Sequence, residues 1–107
     1  MPLTFGQYIA DARKRAGLSQ KDLAAKLQKE DGDSISPQYL NDIEHDRRNA
    51  PSEHLLDQLA DLLELPEGFL YFRAGQWPKN IRGSESQPEQ FEAALKVFRK
   101  ALEKNKP

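Results

Sequence analysis

The side chains that could support catalysis or bind a metal ion are few, and their spacing does not bring them together. His45 and His54 are nine residues apart and fall on different predicted elements. The chain has no cysteine, which removes thiol catalysis, thiolate metal sites and disulfides. Its six glycines are scattered, so no glycine-rich loop is present to cradle a phosphate. We therefore expect a protein that is not an enzyme and that carries no metal or cofactor.

Length and composition restrict the class of protein further. A chain of 107 residues has the usual size of one domain. No apolar stretch approaches the roughly 20 residues that span a bilayer, and no secretory signal is visible at Met1. Sixteen basic and seventeen acidic residues give a net charge of −1, which excludes a strongly basic nucleic-acid coat. We expect a soluble, cytoplasmic protein without membrane contact.

Helices are the elements that must position the remaining polar side chains. Apolar residues of the first helix are spaced four, three and four apart, at Phe5, Ile9, Ala12 and Ala16. Later helices are predicted from the residues that begin them, which are Ser19, Ser36 with Pro37, Ser52 and Pro66. No alternating pattern typical of strands extends beyond a few residues. The sequence predicts an all-α fold.

Composition also divides the chain. Residues 1–76 hold five predicted helices, and residues 77–87 are rich in Gly, Ser and Pro, which is typical of a linker. Residues 88–107 are predicted to form a sixth, C-terminal helix. Its apolar residues are again spaced four, three and four apart, at Phe91, Leu95, Phe98 and Leu102.

Between Thr4 and Leu70 the chain resembles the Cro/repressor-type helix-turn-helix family, also called the xenobiotic-response-element type. The resemblance covers about two thirds of the chain. It implies a five-helix, lambda-repressor-like DNA-binding domain, here with an appended C-terminal helix. The matching residues are Leu18-Ser19-Gln20, Leu23-Ala24, Leu27, Ile35-Ser36, Leu40, Ile43-Glu44, Arg47-Arg48-Asn49, Pro51-Ser52, Leu55-Leu56, Leu59-Ala60 and Leu63.

The chain departs from the family pattern in two places. The turn after Leu27 is longer by about six residues, because Gln28 to Ser34 precede Ile35. Helix two can accommodate them by extending for a turn before it loops out. The other departure is Asp46, where the family commonly has a left-handed glycine; Asp tolerates that conformation better than most residues.

The third helix of such a domain enters the major groove and reads base edges. Gln38 and Asn41 can each make a paired hydrogen bond with adenine, and Asp42 can accept one from cytosine. Pro37 offers apolar contact to a thymine methyl, and His45 completes the candidate base-reading set. The alternative is that these side chains are the hydrated face of a surface helix.

Candidate phosphate contacts lie at helix ends. Gln20 and Ser36 begin the second and third helices, where helix N-termini attract anions. Lys21 follows Gln20, and Arg47 and Arg48 come just after the third helix. Solvation of these cations is the alternative reading.

The resemblance also implies one structural ion pair. In the family, an Arg and a Glu at the positions of Arg13 and Glu44 commonly tie helix one to helix three. The alternatives for Arg13 are solvent exposure or a phosphate contact.

The C-terminal helix needs a partner for its apolar seam, because an isolated helix of this length is marginal in water. Pairing through Phe91, Leu95, Phe98 and Leu102 with a second chain would form a homodimer. Docking on the helix's own domain near Trp77 is the alternative.

The function predicted from these features is a sequence-specific transcriptional regulator that binds double-stranded DNA, most simply a dimeric repressor. An antitoxin that binds both DNA and a toxin is a second reading within the same fold. A protein-interaction adaptor that has lost DNA binding is a third, from a different functional class. Polar residues on helix three favour DNA over a protein partner.

Overall fold

The computed structural model describes residues 4–81 and 87–103, and over these ranges the chain is helical without a strand. This confirms the all-α fold with a C-terminal helix. The helices are α1 (Phe5–Arg15), α2 (Gln20–Lys26), α3 (Pro37–Glu44), α4 (Glu53–Leu63), α5 (Glu67–Arg73) and α6 (Pro88–Glu103).

Parts of the predicted first domain, linker and C-terminal helix lie outside the residues that the structure describes. The start of the first domain (1–3), part of the predicted linker (82–86) and the end of the last helix (104–107) lie outside the described residues. Within the predicted linker, Lys79–Ile81 form a short 3-10 helix. Residues 79–81 of the predicted linker therefore form regular secondary structure.

Side-chain caps begin the first three helices. The hydroxyl oxygens of Thr4, Ser19 and Ser36 each accept a hydrogen bond from a backbone N–H in the first turn of α1, α2 and α3. Ser19 and Asp22 form a reciprocal capping box, with hydrogen bonds of 3.0 and 3.4 Å, at the helix start that the sequence predicts. These local bonds satisfy N–H groups that a helix leaves without intrahelical partners.

A single apolar core joins the first five helices. Tyr71 of α5 is fully buried among aliphatic residues. Burial of this kind is the main favourable contribution to folding. The other members of the cluster are Ile9, Ala12, Leu23, Ala24, Leu27, Ile35, Leu40, Leu55, Leu56, Leu59, Ala60, Leu63 and Leu70.

The start of α1 rests directly on the end of α3. A Cβ atom on Gly6 would lie 2.5 Å from the carbonyl oxygens of both Ile43 and Glu44, so no larger residue fits there. Asp46 adopts the left-handed conformation, with φ of 57°. Its carboxylate accepts hydrogen bonds from the Gly6 N–H at 2.9 Å and the Thr4 hydroxyl at 2.5 Å. Asp46 therefore replaces the usual glycine and adds a cap for α1.

The long turn between α2 and α3 forms a closed loop. Helix α2 ends at Lys26 and Leu27 is extended, with φ of −98° and ψ of 128°, so the expected extension of the helix is wrong. Instead Gln28 pairs with Ser34 in an isolated antiparallel bridge. Leu27 and Ile35 are both buried at the base of the loop, so the extra residues project without displacing either helix from the core.

The loop is also tied to α4. The side-chain amide of Gln58 accepts a hydrogen bond from the Gln28 N–H at 2.9 Å and donates one to the Gln28 carbonyl at 2.8 Å. Both backbone groups of Gln28 are thus satisfied by one side chain, as they would be by a neighbouring strand.

Helix α6 differs from the others because none of its described side chains is buried. The indole of Trp77 meets the Phe91 ring edge-to-face, with 5.6 Å between ring centroids. Phe98 and Leu102 are about half exposed, at 51% and 54%.

No helix in the described ranges is long and apolar enough to cross a membrane.

Candidate nucleic-acid interface

Helix α3 presents its polar face to solvent and buries its apolar face. Gln38, Asn41, Asp42 and His45 recur at helical spacing, so they share one face, with Pro37 at the helix start. Pro37, Gln38 and His45 are exposed, whereas Asn41 and Asp42 are partly buried. The predicted base-reading residues are therefore on one accessible surface.

Glu44 holds the first three helices together at the inner edge of this surface. Arg13 of α1 donates to both of its carboxylate oxygens, from Nε at 2.6 Å and from Nη2 at 3.0 Å. Gln20 of α2 donates to the same carboxylate at 2.8 Å. A third donor of Arg13, Nη1, binds the Leu18 carbonyl at 2.9 Å. Because the Arg13–Glu44 pair is almost fully buried and fork-like, it sets the angle between α1 and α3.

The predicted phosphate contact Gln20 and the predicted base reader Asn41 bind each other. The Gln20 amide nitrogen donates to Asn41 Oδ1 at 3.1 Å. A paired hydrogen bond with adenine needs both the oxygen and the nitrogen of the Asn amide. Because Oδ1 has two lone pairs, Asn41 can accept from Gln20 and from adenine N6 at the same time, and the Gln20 contact holds the Asn41 amide in a fixed orientation.

Asp42 lies at the centre of a second cluster. Its carboxylate accepts a hydrogen bond from the Gln38 amide nitrogen at 2.9 Å. Arg47 and Arg48 each approach it at 3.5 Å, and the Arg48 guanidinium also stacks over the Tyr39 ring at 4.4 Å. Both arginine side chains remain about half exposed, at 58% and 48%, whereas Asp42 is 19% exposed. Asp42 thus contacts three neighbouring side chains, whereas the guanidinium groups of Arg47 and Arg48 remain accessible to solvent.

The remaining candidates lie at the ends of the helices. Ser36 Oγ accepts from the Tyr39 N–H at 3.0 Å, which leaves its own O–H as a donor. His45 Nδ1–H donates to the Asn41 carbonyl at 2.8 Å, so in the neutral ring Nε2 is an acceptor. Lys21 is exposed in the first turn of α2.

Several residues that support this surface were not predicted for these roles. Gly6 and Asp46 hold α1 against the end of α3, and Gln58 holds the loop before α3. The sequence pattern around Gly6 contains no signal for its close contact, because the contact is made by a segment about 40 residues away. Asp46 carried no local signal for its cap on α1 either, because the groups that it binds are about 40 residues away in the chain. Among the described residues, no group of three or more acidic, His or Cys side chains could hold a metal.

The family comparison agrees with this geometry. A family model described as "Helix-turn-helix" matches residues 9–70, which run from α1 to the middle of α5. The match includes all of α2 and α3 and the longer turn between them. No curated protein and no solved structure is detectably similar to the chain.

Proposed function

The chain belongs to the Cro/repressor-type helix-turn-helix family of DNA-binding transcriptional regulators, and we propose that it acts as a sequence-specific repressor that binds its operator as a homodimer. The exposed polar face of α3 is the observation that carries this proposal. An α-helix fits the major groove of B-DNA, and side chains with both donors and acceptors can distinguish base pairs there. An adaptor that binds protein through this face would be expected to expose apolar residues on it.

The base-reading set that we propose is Gln38, Asn41, Pro37 and His45, whereas Asp42, the fifth residue predicted from the sequence, has a different role. Gln38 is the more accessible of the two amides, since it is exposed whereas Asn41 is partly buried, and its bond to Asp42 uses the amide nitrogen and not the oxygen. Because both arginines and Gln38 already engage Asp42, we assign it mainly to positioning these side chains. Cytosine reading by Asp42 would require those contacts to open.

The phosphate contacts that we propose are Gln20, Lys21, Ser36, Arg47 and Arg48. Arg47 and Arg48 follow α3 directly and are about half exposed. Local cations of this kind determine phosphate affinity even in a chain of slightly negative net charge. The adjacent Asp42 carboxylate weakens their attraction for phosphate, which lowers non-specific binding.

Repression and dimerisation are the finer parts of the proposal. A single small module contacts too little DNA for tight and specific binding, so such domains usually bind two half-sites about 34 Å apart. Repression requires only that the bound dimer exclude other proteins from the same DNA. Deletion of α6, or charge reversal on it, tests the dimer separately from DNA recognition.

Selection from random DNA duplexes, followed by footprinting and salt titration, tests the DNA-binding role. Gln38→Ala should cost about 1–3 kcal/mol on the selected site and relax the preference at one base pair. Arg47→Ala should weaken binding to all sequences and reduce the salt slope by about one. Asp42→Asn should strengthen binding to all sequences, because it removes a negative charge beside two phosphate-binding arginines.

Arg15→Ala is the matched control for the loss of one positive charge. Arg15 lies on the exposed face of α1, pairs with Asp11 at 3.4 Å, and shares a surface depression with Leu63 and Glu64 at the end of α4. It should leave both specificity and the salt slope nearly unchanged. Failure to enrich any sequence would refute the regulator proposal and favour the adaptor. Loss of specificity at a C·G pair on Asp42→Asn would instead assign Asp42 to base reading.

A further inference from the structure

The C-terminal half of the apolar seam of α6 is left largely uncovered by its own domain. Phe91 packs on Trp77, and Leu95 is partly buried. Phe98 and Leu102 continue the same seam but are about half exposed. An isolated helix of 16 residues is marginal in water, so this seam has to be covered for α6 to be stable.

The residues beside the seam differ on its two sides. With about 100° of rotation per residue, Glu92 and Arg99 fall along one side. Ala94 and Ala101 fall along the other. One flank therefore carries an acidic and a basic side chain about two turns apart, and the other flank carries Gln87 and the two alanines, none of them charged.

This pattern discriminates between two ways of pairing α6 with a second copy. In a parallel pair related by two-fold symmetry, opposite flanks face each other, so Arg99 would meet the partner's Ala94. Glu92 would meet the partner's Gln87, and neither charge would be neutralised. Parallel pairing thus gains nothing from the charged flank.

In an antiparallel pair, each flank faces the same flank of the other copy. Leu95 then packs opposite the partner's Phe98, and Phe91 opposite the partner's Leu102. With this register Glu92 lies opposite the partner's Arg99, and by symmetry the ion pair forms twice. The alanine flanks meet on the other side, where small side chains allow the backbones to approach.

We propose that α6 pairs antiparallel with α6 of a second copy of this chain, with Glu92 facing the partner's Arg99. The inference rests on the proposed homodimer and specifies its interface. Charge complementarity along one flank and the half-exposed seam carry it. Trp77 extends the interface, because its exposed ring lies beside Phe91, where the partner's Leu102 would pack.

Charge reversal in the full-length chain tests the antiparallel register. In the Glu92→Arg variant, two pairs of like charges would face each other in the dimer, and the same holds for Arg99→Glu. Each single variant should raise the dimer dissociation constant about tenfold, measured by sedimentation without DNA. The double variant should restore the wild-type constant. An equimolar mixture of the single variants should form heterodimers as tight as the wild-type dimer.

Lys100→Glu is the matched control, because it reverses one charge on the far side of α6 from the seam. It should leave the dissociation constant within about twofold of wild type. The proposal is overturned if the wild-type chain is monomeric, or if the single reversals leave dimerisation unchanged, as in parallel pairing. It is also overturned if the mixture fails to recover tight association.

The outcome is independent of DNA recognition. If the charge reversals weaken and restore the dimer as expected but no DNA sequence is enriched, the α6 interface is supported and the repressor function is refuted. Sequence-specific binding by a chain whose dimerisation ignores these charges would refute the interface and leave the DNA-binding role standing.

Discussion

Glu44 accepts hydrogen bonds from two different helices with a single side chain. Its carboxylate receives three N–H donors, two from Arg13 and one from Gln20. All of these lie beneath the face that we propose to meet DNA. Because a carboxylate buried without such donors would be costly, the whole cluster has to form together. Glu44 therefore ties α3 to both α1 and α2, at the same end of α3 where Gly6 and Asp46 hold α1.

Removal of Arg13 should destabilise the fold more than it affects DNA contacts. Arg13→Ala leaves Glu44 buried without its main counter-charge, which costs about 3 kcal/mol of unfolding free energy. Thermal or urea unfolding measures this loss. Arg15→Ala, which breaks an exposed pair, should cost less than about 1 kcal/mol. Unchanged melting of Arg13→Ala combined with weaker DNA binding would assign Arg13 to a phosphate contact instead.

At the scale of elements, short segments are held by polar contacts to helices that precede or follow them. Gln58 of α4 closes the loop before α3. Asp57, one residue earlier, accepts from the Tyr71 hydroxyl at 2.5 Å and from Lys79 Nζ at 2.6 Å. These bonds join α4, α5 and the short 3-10 helix. Burial alone would raise the pKa of Asp57, but the hydrogen bonds from Lys79 and Tyr71 lower it.

This polar cluster predicts a loss of stability in alkali. Burial and the hydrogen bond to Asp57 raise the pKa of Tyr71 to about 12. Below about pH 10 the hydroxyl is protonated in both the folded and the unfolded chain, so its contribution is complete. Between about pH 10 and about 12 only the unfolded chain loses the proton, so stability falls. Unfolding midpoints measured across this range should show the decline.

Tyr71→Phe is the control for this titration, since it keeps the buried ring and lacks the hydroxyl. The stability difference between wild type and Tyr71→Phe should shrink as the pH rises above about 10. A difference that stays constant from pH 8 to 11 would contradict the assignment. Groups that titrate in alkali without contacting Tyr71 affect both proteins alike, whereas Lys79, whose pKa is raised by Asp57 and also by Tyr71, is part of the same cluster.

At the scale of the whole molecule, the chain is more extended than a compact domain of its length. Its radius of gyration is 15.9 Å, against about 13 Å for a compact domain of roughly 100 residues. Its dimensions are 46 × 36 × 23 Å. The first five helices share one core, whereas α6 contributes no buried side chain to it. A second copy packed on α6 would bury the exposed apolar residues of this helix.

Deletion of residues 84–107 should separate folding from association. The truncated chain keeps the core and the Lys79–Asp57 contact, so its melting temperature should stay within a few degrees of wild type. It should sediment as a monomer and bind the operator at least about tenfold more weakly, because one module reaches one half-site. A truncated chain that remains dimeric and binds the operator normally would exclude α6 as the dimer interface.

The helices and the family could be predicted from the sequence because both depend on local features. Apolar spacing and the residues Ser19 and Ser36 at helix starts act over three or four neighbours. The family pattern adds the Arg13 and Glu44 positions, which meet in the structure. The polar face of α3 follows from the same periodicity, so the candidate interface could be predicted from the sequence alone.

The partners of those side chains could not be predicted, because they depend on segments that are distant in the chain. Asp46 caps α1 across about 40 residues, and Gln58 closes a loop 30 residues before it. Asp42 was expected to face cytosine, yet the return of the chain after α3 brings two arginines beside it. Local periodicity sets which face of a helix is polar, but packing of the whole chain sets which charges end up adjacent.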